Sequence, residues 1–327
     1  MPPSSAKKAV IGSGHNFWLH SVSEGFDLTH PETHDAPLIY PRIPLETSTA
    51  RVTVDPAKVC SITNANHMKQ ISDQSQTALV VIDMQNFFLH PSLGRNKDGK
   101  GIKACDELIK HAIPACRKAG IKVLWVNWGL TQEDIDIMPP ATLRAFGFEV
   151  VPEDDSVDGE VDGDEKVLPP KQPFGKDPRV YCGLGSDMGH VELEDGTKVD
   201  AGRLLMRDTW NSALYPSLEK VREKDDVWIH KDRMSALWNS STLCTKYLES
   251  AGIKTLLFAG VNTDQCVGGS LQDAFSKGYD CLMLTDGCGT TSPIAAQECI
   301  EYNSMKSWGF ALTCKDLADG VEKMQHA

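Results

Sequence analysis

No stretch of this 327-residue chain approaches the roughly 20 consecutive apolar residues that a membrane-spanning helix needs. The best run, Ala78–Ile82, is strand-sized. The opening MPPSSAKKAVIGSG has no apolar core of a secretory signal. Bases are scarce, with 33 Lys and Arg against 45 Asp and Glu and a net charge of -12, which disfavours nucleic acid or an anionic membrane as partner. None of the ten cysteines forms C-x-x-C, which argues against a zinc ribbon or a thioredoxin-type centre. P-loop, H-E-x-x-H and G-x-S-x-G patterns are also missing. GLGSDM (183–188) breaks G-x-G-x-x-G at its last position and follows no predicted strand, so a nucleotide-dependent enzyme is not expected. No internal repeat is present.

What is there is ordinary for a globular domain: 41% hydrophobic and 24% charged residues. Many cysteines without a signal peptide fit a reducing, cytoplasmic setting with free thiols, most of them small buried hydrophobes. The negative charge is concentrated. Nine acids and no base lie between Glu149 and Glu165, and the rest of the chain carries only about -3. Interrupted by Gly159 and Gly163, this segment reads as a solvated acidic loop.

The first 75 residues lack sustained periodicity and read as an N-terminal extension wrapped on the core, with a short helix near Ala65–Ser72. From Gln76 to the C-terminus, short apolar runs alternate with helical patterns. The runs are 77–83, 121–127, 226–231, 253–260, 279–286 and 309–314. Between them, 102–119, 240–251, 265–277, 293–306 and 315–325 carry apolar residues at helical spacing, with Gly252, Gly278 and Gly309 beyond three of the ends. Strands that are apolar throughout and separated by helices predict an α/β fold with a parallel sheet covered on both faces. One connection, 129–225, is too long for a single crossover. It holds an insertion at about 147–205, a hairpin around Asp195–Gly196 within 191–199, and a helix candidate at 209–222.

In such a sheet, ligands gather beyond the carboxyl ends of the strands. Three reactive residues fall there. Asp83 closes the first strand, Lys231 closes the third, and Cys266 follows the fourth where a loop turns into a helix. Each alone reads more plainly as a cap, a solvent-reaching lysine or an inert core thiol. Together they compose an assisted nucleophile. Lys231 stabilises a Cys266 thiolate, whose pKa a helix N-terminus also lowers, and Asp83 carries the proton. Backbone N–H groups of the Gly260–Cys266 turn are the available donors for an oxyanion.

The pieces VVIDMQNFF (80–88), WIHKDRMSALWNSSTL (228–243) and AGVNTDQCVGGSLQDAFSKGYDCLMLTDGC (259–288) resemble, in order and spacing, the isochorismatase-like cysteine hydrolases. That family includes nicotinamidase, N-carbamoylsarcosine amidohydrolase, and the biuret and ureidoacrylate hydrolases. The resemblance runs from about residue 77 to the C-terminus, apart from the insertion. It implies a Rossmann-like three-layer α/β/α fold with a six-stranded parallel sheet and Asp83, Lys231 and Cys266 as the triad. It also implies a cis Val261–Asn262 bond, an oxyanion hole from the amides of Asn262 and Cys266, and a homo-oligomer.

Two departures narrow the chemistry. The segment VNWGLTQEDIDIM after the second strand has none of the histidines of the nicotinamidase metal site, so no metal and no other cofactor is expected. The cysteine itself favours a small amide, carbamoyl or ureido substrate, cleaved through a thioester, over isochorismate-type vinyl ether chemistry. That chemistry is the first alternative; an idle scaffold or binding protein is the second. Asn127 resembles the Asn of the ureidoacrylate and biuret group. Asn86, Phe88, Trp128 and Trp238 are candidate pocket residues, and Trp210 with His15, Phe17 and Trp18 a candidate lid.

Overall fold

The computed structural model describes residues 8–13, 16–31, 41–56, 76–147, 149–150, 172–173 and 183–324. The chain divides into two compact units, the first made of 1–84, 98–127 and 216–327, the second of 85–97 and 128–215. Among the described residues no helix is long and apolar enough to cross a membrane.

The first unit is built on six strands: β1 (Thr77–Ile82), β2 (Lys122–Trp128), β3 (Val227–Lys231), β4 (Thr255–Val261), β5 (Asp280–Gly289) and β6 (Phe310–Leu312). They form one all-parallel sheet in the order β3-β2-β1-β4-β5-β6, flanked by helices. Every residue of β1 and β4 is buried, as continuous apolar runs require when helices cover both faces. The strand order reverses between β1 and β4. Crossovers on either side of that line leave in opposite directions, which opens a crevice at the carboxyl ends.

Gly260 makes the close approach of β4 to β1 possible at this line. Its φ is +119°, and a β-carbon there would run into the carbonyl oxygen of Ile82. The predicted helix at 102–119 is a run of Lys100–Glu107, a π-helical turn Leu108–Ala112, and Ile113–Ala119. The hydroxyl run at 240–242 supplies a cap. Thr242 Oγ1 accepts from the Thr245 N–H at 3.1 Å and opens the helix Leu243–Ala251, which ends on Gly252 at φ +70°.

Residues before β1 depart from the expected aperiodic wrap. They form a five-stranded sheet from Ala9–Ser13, Asn16–Ser21, Gly25–Asp27, Arg51–Val54 and Ile43–Glu46, paired in that spatial order. Strands of three to six residues are too short to show a period, and only pairing reveals them. The Ser48 N–H donates to Ala311 O on β6 at 2.8 Å. Ile43–Glu46 lies on the helix Cys314–Glu322, where a β-carbon on Gly320 would sit 2.6 Å from Pro44 O. The helix expected near Ala65–Ser72 and the acidic loop at 151–165 lie outside the described residues.

The helix expected over 209–222 is corrected to one turn, Pro216–Glu219. Residues 209–215 are held by a different pattern. The Asn211 side chain accepts from Leu205 N–H at 2.8 Å and donates to Ala201 O at 2.7 Å and Arg203 O at 2.9 Å, which organises turns in place of a helix. Elsewhere in the second unit, His190–Glu192 and Lys198–Asp200 pair antiparallel around Gly196, the expected hairpin. Gln85 binds three backbone groups there, donating to Trp128 O at 2.8 Å and Ser212 O at 2.7 Å and accepting from Trp128 N–H at 3.1 Å.

Candidate active site

Four neighbouring strands deliver functional groups to the carboxyl edge of the sheet. Ile82 of β1 pairs with Val126 of β2, so Asp83 and Asn127 leave adjacent strands side by side. Asp83 turns out of its strand at φ +53°, a left-handed conformation that aspartate tolerates better than most residues, while its N–H donates to Val126 O at 2.9 Å. Lys231 is the last residue of β3.

The three residues singled out from the sequence converge. Lys231 Nζ lies 3.0 Å from Asp83 Oδ2 and donates to Cys266 Sγ at 3.5 Å. It also donates to Arg233 O at 3.1 Å and Met234 O at 3.2 Å, so the ammonium faces acceptors on every side described. All three residues are buried, at 0% exposed for Asp83 and 4% for Lys231 and Cys266. Burying a carboxylate and an ammonium to that degree is costly unless the two are paired and hydrogen-bonded.

Cys266 sits in the π-helical turn Thr263–Val267 that opens the helix Gly268–Ser276. Its carbonyl accepts from Ser270 Oγ at 2.7 Å, and Ser270 Oγ in turn accepts from Ala236 N–H at 3.0 Å, which ties the turn to the loop after β3. Gly268 is required by crowding, since a β-carbon there would lie 2.9 Å from Thr263 O. The Val261–Asn262 bond is cis. The remaining buried thiols differ in surroundings. Burial pushes Cys105 and Cys244 up to about 12, and Cys116, Cys281, Cys288 and Cys314 higher still.

Asn127 is fully buried, and neither its amide oxygen nor its amide nitrogen has a hydrogen-bond partner among the described residues. The Thr263 hydroxyl, three residues before Cys266, is equally buried and unbonded there. Nothing in the sequence singled it out. Trp238 is 45% exposed, with its indole N–H on Asp232 Oδ1 at 3.1 Å and the Arg233 guanidinium over its ring at 5.2 Å.

The other expected pocket residues belong to the second unit. Asn86 donates through Nδ2 to Trp210 O at 2.8 Å, Phe88 packs edge-on to Phe87 at 4.9 Å, and Trp128 packs edge-on to Phe146 at 5.0 Å. The lid expectation is overturned for Trp18. Its indole N–H donates to Asp280 Oδ1 at 2.9 Å, and Asp280 begins β5, at the amino edge of the sheet. Phe17 is core, 3% exposed. His15 lies outside the described residues. Trp210 packs on His90, 4.8 Å between ring centres.

Fold and edge chemistry together define a Rossmann-like α/β domain whose sheet gathers a thiol, an amine and a carboxylate at its carboxyl edge. The isochorismatase domain family matches residues 188–311. The ureidoacrylate amidohydrolase RutB of Rhizobium rhizogenes is 25% identical over 252 residues, 76% of this chain and 85% of that protein. The protein of the same name from Agrobacterium fabrum is 26% identical over 252 residues, 76% of this chain and 91% of its own. An isochorismatase-like hydrolase structure from Alkaliphilus metalliredigens is 17% identical, with a TM-score of 0.48 over 76% of this chain and 97% of that one. The chain is thus similar to the isochorismatase-like cysteine hydrolases, with the domain match falling on residues 188–311.

Proposed function

We propose that the protein is a cysteine-dependent amidohydrolase that cleaves a small amide, carbamoyl or ureido compound, with Asp83, Lys231 and Cys266 as its triad. The observation that carries this reading is the position of Lys231 Nζ between Asp83 Oδ2 and Cys266 Sγ, at 3.0 and 3.5 Å in a buried edge. The names of the curated relatives, ureidoacrylate amidohydrolases, point to the same bond type.

Asp83 takes the thiol proton, and the Lys231 ammonium holds the thiolate beside it. Sulfur attacks the carbonyl carbon, and the oxyanion is met by the backbone N–H groups of Asn262 and Cys266. The C–N bond breaks as Asp83 returns the proton to the leaving nitrogen, which departs as ammonia or an amine. Asp83 then deprotonates a water that attacks the thioester, and the released thiolate regains its proton. Asn127 offers one donor and one acceptor on a rigid amide, complementary to a carbamoyl group, which presents the reverse pair. A buried amide whose polar atoms have no partner among the described residues gains from a carbamoyl group that bonds them.

Ammonia release from a panel of ureido, N-carbamoyl and simple carboxamide acids tests the reading. Turnover of at least one carbamoyl or ureido compound that vanishes in Cys266→Ala, with the substrate still bound, is the expected result. Equal turnover by Cys266→Ala overturns nucleophilic catalysis.

A further inference from the structure

A cavity of the first unit lies away from Cys266. It measures about 560 Å³, within the size range of small-molecule sites, and is lined by residues at the amino ends of β5 and β6 together with the N-terminal sheet. That sheet belongs to the part of the chain outside the resemblance to the hydrolases, so the family core alone cannot form this cavity.

Its inner wall is aromatic. Trp18, Phe26 and Phe310 pack together at centroid distances of 5.3 to 6.4 Å, in tilted and edge-on arrangements. Trp308 and Phe275 line it as well, and Phe275 is left 44% exposed. Such walls suit a flat ring that can stack on one face and meet an edge on another.

The charges select among flat molecules. Asp280 lies in the lining, but its carboxylate is already bonded to the Trp18 N–H at 2.9 Å, His30 Nε2 at 2.7 Å and Thr255 Oγ1 at 3.2 Å. Among the described lining residues Lys306 is the one with a cationic side chain, and it is exposed. Among the described lining residues, the charge left to answer a ligand is therefore positive. We propose that this cavity is a second, non-catalytic binding site for a flat aromatic carboxylate, with its rings among the aromatic walls and its carboxylate at Lys306. The helix Gly268–Ser276 runs from one site towards the other, with Cys266 two residues before its first residue and Phe275 in its last turn.

Calorimetric titration of the whole protein with 2-naphthoate, its neutral analogue 2-naphthalenemethanol and its cationic analogue 2-naphthylmethylamine tests this. Saturable binding of the acid is expected, with the amine weaker. Phe275→Ala, at an exposed position, weakens all of the ligands by about tenfold. Lys306→Glu weakens the acid by about fivefold and leaves the neutral analogue unchanged. Pre-alkylation of Cys266 leaves the affinity unaltered. No saturable binding of the acid, equal or tighter binding of the amine, indifference to both substitutions, or loss of binding on Cys266 alkylation each overturns the proposal.

Discussion

Two buried carboxylates mark opposite edges of the same sheet. Asp83 stands after β1 at 0% exposure, and Asp280 opens β5 at 3%. Burial is the same, but the partners are not. Asp280 is answered by an indole N–H from the N-terminal sheet, an imidazole three residues beyond the strand Gly25–Asp27, and a hydroxyl of β4. That arrangement clasps two parts of the fold together. Asp83 is answered by an ammonium shared with a thiol, beside an asparagine whose amide is unbonded. A polar cluster whose capacity is used up serves architecture, and one with capacity left over is open to chemistry.

The contrast breaks if the two edges respond alike. Lys231→Met should lower amide turnover by about 10³-fold or more, since residues acting as one unit fail together. Asp280→Ala should leave turnover within a few-fold, and initial rates on the same substrate check both. The stability effect runs the other way. Asp280→Ala strands the Trp18 N–H and the Thr255 hydroxyl in the interior and should cost about 3 kcal/mol in chemical denaturation.

A third buried carboxyl sharpens the comparison. Asp55, just after the strand Arg51–Val54, is raised from its ordinary 3.8 to about 8, by burial first, with Asp27 adding to the rise and Arg42 opposing it. Its Oδ1 has no hydrogen-bond partner among the described residues. The folded state therefore holds this proton more tightly than the unfolded chain. The stabilisation is fully present below about pH 4 and is lost as pH rises towards 8, at up to about 1.4 kcal/mol per pH unit. Asp55→Asn should flatten that slope and raise stability above pH 8 relative to the parent, measured by urea unfolding across pH. The smallest effect belongs to the second unit. Gly196, at φ +81° with open space around it, should cost about 1 kcal/mol as Gly196→Ala and leave turnover unchanged.

Legibility in the sequence follows the same division. The six core strands and the meeting of Asp83, Lys231 and Cys266 are readable because apolar runs fix the strands, and strand ends fix where those residues emerge. The N-terminal sheet is not, because Gly25–Asp27 and its neighbours are defined by partners up to 26 residues away along the chain, as in Phe26 with Val52. Trp18 reads as lid material from sequence for the same reason. An indole N–H declares its need for an acceptor, but only folding shows that Asp280 supplies it. Asn127 could be named from sequence, yet its unbonded amide is a property of the packed interior.

The central claim is that sulfur carries the acyl group. The most direct measurement is acid quenching of the wild-type protein during turnover of its best carbamoyl or ureido substrate, followed by intact mass and peptide mapping. An adduct of the acyl fragment's mass on the peptide that holds Cys266, absent in Cys266→Ser, is the expected result. Steady turnover with an unmodified Cys266, and undiminished turnover by Cys266→Ser, would contradict it.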